Sequence, residues 1–280
     1  MTELIRADMQ SGEPGVEFTE YRSWTRAFAV QRRVLVALMI RQLMTKYGRG
    51  NIGFLWIVLE PMILCSGVLV VRSLIQGGEE NGIPLIAILV TGYLPLTLWR
   101  HISSVGVFIL RRNASMLYHR DISLLDCTLA TMLLEIGGCT CAFLVVGWCL
   151  VILHLLDPPS DLGLVLSGWL TMALLAYSLM MIFAVLTEFY EAAERFVQPF
   201  QYLMLPVCGF FFMVSWLPLS VQKLAWWMPT VHCYEMVRAG MFGPQVETHF
   251  TPWYPIVCSI IGLAFSLPLV DKARDKIHFG

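Results

Sequence analysis

VSWLPLSVQKLAWWMPTVHCYEMVRAGMFG, residues 214–243, is the stretch on which the fold turns. Trp216, Leu217, Leu219, Leu224, Trp226, Trp227 and Met228 are too many large apolar side chains for a solvated loop. Pro218, Lys223, Pro229, His232, Glu235 and Arg238 interrupt them too often for a bilayer-crossing helix, which needs roughly 20 largely apolar residues. Such a segment suits the outer half of a membrane: it enters as a short helix, turns near Pro229 and leaves as a second short helix. Broken helices survive at that depth only inside protein or beside a wet cavity. The competing reading is an interfacial hairpin whose tryptophans rest at headgroup level. Glu235 and Arg238 lie three apart, share a helix face and are expected to pair.

The rest of the chain supplies the membrane. Of 280 residues, 57% are hydrophobic and 14% charged, against about 25% charged in ordinary soluble chains. Lys plus Arg (19) and Asp plus Glu (20) nearly cancel, which argues for no nucleic-acid partner. Eight cysteines sit in or beside apolar stretches without CxxC spacing, the pattern of small packing residues. Six apolar runs approach spanning length: Phe54–Ile75, Pro84–Leu110, Leu133–Leu155, Leu164–Thr187, Phe196–Val214 and Trp253–Val270. They are continuous rather than alternating, so helices are expected and a barrel is not. The predicted fold is an all-α membrane protein with six transmembrane helices, an N-terminal amphipathic interface helix and a re-entrant helical hairpin, about 216–243, between helices 5 and 6. Residues 1–50 form a cytoplasmic tail and interface helix, and 51–280 the transmembrane domain.

Orientation follows from the cations. Fifteen of the 19 fall before the first span, after the second, after the fourth or after the sixth, so both termini are predicted to be cytoplasmic. From Arg22 to Lys46, Trp24, Phe28, Leu35, Leu38, Met39 and Leu43 recur near helical spacing, while Arg32 and Arg33 occupy other faces. That pattern predicts a helix in the membrane interface, either a plain electrostatic anchor or a lever receiving force from a cytoplasmic partner. TEFYEAAERF, 187–196, concentrates Glu188, Glu191 and Glu194 beside Arg195; it is either a solvated loop or a second docking element for that partner.

Reaction chemistry is missing from the pattern. GxxxxGK[ST], HExxH and GxSxG do not occur, and the six histidines are scattered. A conduit is therefore favoured over a membrane-bound glycan-modifying enzyme, with no catalytic or metal-binding residue expected. Charged residues inside spans mark functional candidates: Glu60, Glu135 and above all Arg100, flanked by Trp99 and His101. Arg100 is read either as half of a buried ion pair, with Glu60 as partner, or as an anion-contacting group on a transport path. Rings such as Trp99, Trp216, Trp226 and Trp227 are read either as packing and interface anchors or as surfaces that stack on sugar C–H faces, in which case a cavity combining them with cations suits an acidic sugar chain.

Several motifs, in order along the chain, resemble the transmembrane subunit of ABC-type polysaccharide exporters, most nearly the capsular-polysaccharide export permeases of Gram-negative bacteria. They are TKYGRGNIGFLWIVLEP (45–61), TGYLP (91–95), NASMLYHRDISLLD (113–126) and MPTVHCYEMVRAGMFG (228–243), the last through Pro229, His232, Glu235 and Arg238. The chain departs from similar proteins at Thr131, Cys208 and Met228, where Arg, Ser and Asn are common. The resemblance implies a bacterial inner-membrane permease that carries a lipid-anchored acidic capsular polysaccharide through a channel between two copies of itself. Two ATP-binding cassette subunits would hold the ATP and Mg, and this chain no cofactor. A periplasmic adaptor and an outer-membrane polysaccharide channel would receive the lipid-linked polysaccharide. O-antigen, teichoic acid or another lipid-linked substrate is the alternative cargo.

Overall fold

The computed structural model describes residues 20–47, 79–80, 82–117 and 123–278, with the isolated helical positions 59, 62–63, 67 and 70–71. Most of the first expected span, with Glu60 and Pro61, lies outside the described residues, as do the glycine-rich approach to it and Arg120.

Helix α1 covers Glu20–Tyr47. A two-residue antiparallel pair, β1 Glu79–Glu80 and β2 Ile83–Pro84, precedes α2, Leu85–Val105. One 3₁₀ turn, Gly106–Phe108, joins α2 to α3, Ile109–Leu117. Helix α4 is Leu124–Ile152, α5 Leu162–Phe189 and α6 Glu191–Met204. The deciding stretch forms a 3₁₀ turn at Val214–Trp216, then α7, Leu219–Ala225, and α8, Pro229–Phe242. Helix α9, Trp253–His278, ends the described chain.

Among the described residues four helical stretches are long and apolar enough to cross a membrane: Leu85–Asn113, Leu124–Ile152, Leu162–Phe189 and Trp253–Val270. They answer the second, third, fourth and sixth expected runs. The third begins nine residues earlier than its apolar run because Ser123 and Asp126 build a capping box. Asp126 N–H donates to Ser123 Oγ at 3.1 Å, and Ser123 N–H donates to Asp126 Oδ2 at 3.0 Å. Asp161 caps α5 by accepting from Leu164 N–H at 3.1 Å.

The fifth expected run, Phe196–Val214, is not one helix. Helix α6 has 14 residues, or about 21 Å, short of a hydrocarbon core of roughly 30 Å. After Met204 the backbone passes through turns in which Gly209 takes φ +99, a left-handed conformation open to glycine. A Cβ there would lie 3.3 Å from Tyr234 and Val231, so the turn is also packed close against α8.

Helix α5 is the hub, packing against α2, α8 and α9. Small residues let these helices approach closely: a Cβ on Gly240 would lie 2.6 Å from the Val165 nitrogen, and one on Gly168 2.9 Å from Val237. These pairs also show that α8 runs antiparallel to α5. The core joins Leu94, Leu98, Trp99 and Ile102 of α2 to Met172, Ala176 and Met180 of α5 and to Cys233 and Tyr234 of α8. Helix α1 lies against the start of α4. Leu38, Val34, Leu35 and Met39 pack on Cys127 and Ala130, Gln31 donates to Asp126, and Gln42 donates to the Cys127 carbonyl at 3.2 Å.

Candidate functional site: a braced helical break and a half-exposed cation

Helix α8 carries His232, Glu235 and Arg238, all buried, and every side chain from Val231 to Phe242 is buried with them. Pro229 opens the helix at its first turn, where a missing N–H costs nothing. Buried charge at this density demands partners. Arg238 Nη1 donates to the Gly209 carbonyl at 2.9 Å and to the Phe212 carbonyl, and Nη2 donates to the Phe210 carbonyl at 2.8 Å. Glu235 Oε1 accepts from Val214 N–H at 3.1 Å, and Oε2 accepts from His249 N–H at 3.0 Å. The expected bridge between Glu235 and Arg238 is thus replaced in most of its bonding by backbone. The cation takes the carbonyls left open where the helix breaks. The anion takes the amide that follows them and one from the segment leading to α9. The guanidinium's planar fork suits three carbonyls at once.

His232 ties down the α7–α8 corner. Thr251 N–H donates to Nδ1 at 3.1 Å, which leaves Nε2 to donate to the Trp226 carbonyl at 3.0 Å. Tyr254 Oη donates to the Trp227 carbonyl at 2.9 Å. The Trp226 ring is partly exposed and Trp227 is 75% exposed, whereas Trp216 is half-buried in a small core with Met213 and Met241.

Trp99 is 2% exposed and packs in the central core, so its ring faces protein on all sides. Arg100 is half-buried, and its guanidinium lies over the Tyr202 ring, 4.9 Å from the centroid. Its Nε is buried without a hydrogen-bond partner among the described residues. His101 is turned toward Glu135, with Nδ1 3.6 Å from Oε2. Sequence reasoning passed over Gln201, fully buried on α6, whose Nε2 donates to Ser103 Oγ at 2.9 Å and Ser104 Oγ at 3.2 Å. Its spacing to those serines, almost a hundred residues, carries no local signal.

At the basic end, Arg32 and Arg33 are exposed on α1. Glu194 accepts from Arg111 Nη1 at 3.2 Å, joining α6 to α3. Glu191 and Arg195 are exposed in the first turns of α6, after Tyr190 breaks the backbone between α5 and α6.

Among the described residues, membrane-length helices pack on small residues and a charged helix braces a broken one, an arrangement that suits a transport permease. Residues 33–242 match the ABC-2 type transporter family, and the chain belongs to it. It is 37% identical over 256 residues to the capsule polysaccharide export inner-membrane protein CtrC of Neisseria meningitidis serogroup B (strain ATCC BAA-335 / MC58), covering 91% of this chain and 97% of that protein. It is 31% identical over 263 residues to the capsule polysaccharide export inner-membrane protein BexB of Haemophilus influenzae, covering 94% and 99%. It is 26% identical over 251 residues to the polysialic acid transport protein KpsM of Escherichia coli, covering 85% and 93%.

Proposed function

We propose that the chain is the channel-forming permease subunit of an ATP-driven exporter that moves a lipid-anchored acidic capsular polysaccharide across the bacterial inner membrane. The observation that carries this reading is similarity along nine-tenths of the chain to proteins named for capsule polysaccharide export. Two copies enclose the path, and each engages an ATP-binding cassette subunit that holds ATP and Mg. A periplasmic adaptor and an outer-membrane channel take up the polysaccharide. Both termini face the cytoplasm, as the clustering of cations supports. Residues 1–50 carry the interface helix and 51–280 the transmembrane domain.

In this reading α7 and α8 form a re-entrant hairpin from the periplasmic side, and six membrane segments result when the first run and the broken α6 segment are included. Arg100 on its tyrosine platform meets passing anions; the partial exposure of its side chain, in a segment long and apolar enough to span the membrane, supports this reading. Trp226 and Trp227, exposed at the hairpin corner, offer rings to sugar. Arg32, Arg33, Glu191 and Arg195, with Glu194 braced by Arg111, transmit force from the ATPase.

The test is replacement of the permease in a strain whose own capsule permease has been deleted, together with the cognate ATPase. Restored surface polysaccharide and co-purification with the ATPase support the reading. Polymer retained inside the cell despite normal membrane insertion refutes the cargo, and restored O-antigen or teichoic acid export instead of capsule reassigns it.

A further inference from the structure

A cavity of about 310 Å³ opens between α1, α3 and α4 at the basic end of the molecule. Val105, Ile109 and Leu134 form its apolar wall, and Arg41 and Arg112 bring two guanidinium groups to it from different helices. Both arginines are exposed, and neither is ion-paired among the described residues. The neutral polar groups on the lining are already engaged: Thr131 Oγ1 donates to the Cys127 carbonyl at 2.8 Å, and Asn113 Nδ2 donates to the Ile109 carbonyl at 2.8 Å. Glu135, the carboxylate on the lining, is 5% exposed and faces His101 Nδ1 at 3.6 Å. The cavity thus carries two arginines against one buried carboxylate, which is turned to His101, with the apolar wall opposite.

That combination recognises an anionic amphiphile. A basic pocket between membrane helices on the cytoplasmic side is where an acidic headgroup sits. Its volume is at the small end of ligand cavities, which run from about 300 Å³. It accommodates a phosphate and the first methylenes of a chain, with the remaining chain in the bilayer. We propose that this cavity holds the phosphate ester of an anionic lipid of the cytoplasmic leaflet, bridged by Arg41 and Arg112, so that the lipid ties α1 to the α3–α4 corner. The inference rests on the proposed cytoplasmic placement of the basic end. The lipid is either a membrane phospholipid or the cargo's own anchor, which share the phosphate and the chain.

The test is lipid retention by native mass spectrometry of the permease purified with its ATPase. The probes are phosphatidylglycerol, phosphatidylcholine and inorganic phosphate. The double variant Arg41→Gln/Arg112→Gln is expected to lose about 30-fold in phosphatidylglycerol retention, the equivalent of roughly 2 kcal/mol for two basic contacts. Leu134→Trp, which fills the cavity and keeps both cations, is expected to lower it as well, whereas Lys272→Gln at the same end of the molecule leaves it unchanged. Retention unaltered in the double variant and in Leu134→Trp overturns the site. An equal loss in Lys272→Gln overturns it too, because general surface charge then suffices. So does inorganic phosphate binding as tightly as the lipid. Phosphatidylglycerol retained by protein from cells that make no polymer assigns the site to membrane phospholipid. A phosphate lipid retained only from polymer-making cells assigns it to the cargo anchor, and either result supports a lipid-phosphate site. Retention is read without transport, so an intact site in a chain that exports no polysaccharide refutes the proposed cargo and leaves this inference standing.

Discussion

Helices α8 and α1 both carry arginines within amphipathic-looking sequence, and they use them in opposite ways. In α8, Arg238 is fully buried and spends its guanidinium on three carbonyls of a neighbouring broken backbone. In α1, Arg32, Arg33 and Arg41 stay exposed, and the helix attaches through Leu38 and two glutamines. Charge inside α8 is a structural brace, because unpaired carbonyls away from water are costly. Charge on α1 remains available to lipid or to another subunit. The same residue type therefore marks architecture at one end of the molecule and interaction at the other.

The largest effect should come from removing the brace. Arg238→Met strands the carbonyls of 209, 210 and 212 and is expected to cost about 3–5 kcal/mol, read as a fall in thermal stability of the purified permease. Arg238→Lys should restore little of it, since one ammonium cannot span the fork. Glu235→Ala strands two N–H groups and should cost about 1–3 kcal/mol. Because Glu235 and Arg238 satisfy different peptide groups, the double variant should be worse than either single one. A double variant no worse than a single one would restore a direct ion pair as the main contact and break the contrast.

Packing of the brace gives the next effect. Gly240→Ala drives a methyl group toward the Val165 backbone and should destabilise by about 1–3 kcal/mol, whereas Ala at exposed positions of α1 should change little. Smaller still is Arg100→Leu, which gives up a cation–ring contact of about 0.5–1 kcal/mol. Insertion should be normal and export reduced; normal export would remove Arg100 from the path. The smallest stability change belongs to Glu191→Lys/Glu194→Lys. Loss of the exposed Arg111 pair is worth about 0–1 kcal/mol, yet export should uncouple from ATP hydrolysis, and unchanged export would remove the coupling role.

Four membrane-length helices were legible because continuous apolar runs leave a helix as the solution in lipid. The break after Met204 was less so: Phe196–Val214 is mostly apolar, and Pro206 and Gly209, which mark the break, stand beside Pro199, which α6 accommodates within the helix, so neither residue type alone distinguishes a break from a kink. The buried α8 was legible as something other than a span from its proline and charges. Three-residue spacing suggested that Glu235 and Arg238 would bond each other, but spacing reports a shared face, not the backbone that a neighbouring segment presents to it. Arg100 was singled out as too central to be idle; its partner, Tyr202, lies on a different helix about a hundred residues away and has no local signature. Arg41 and Arg112 gave no sign in the sequence of converging on one cavity.

The most direct test of the account is a cysteine-accessibility scan from Leu219 to Glu247 in a chain freed of its eight native cysteines. Membrane-impermeant maleimide would be applied separately to intact periplasm-exposed cells and to inside-out vesicles. A hairpin braced by buried charge predicts labelling at Lys223, Trp227 and Glu247 from the periplasmic face, protection from Val231 to Phe242, and no labelling of any of these positions from the cytoplasmic face. Labelling along α8, or of one end of α8 from the cytoplasmic side, would contradict it.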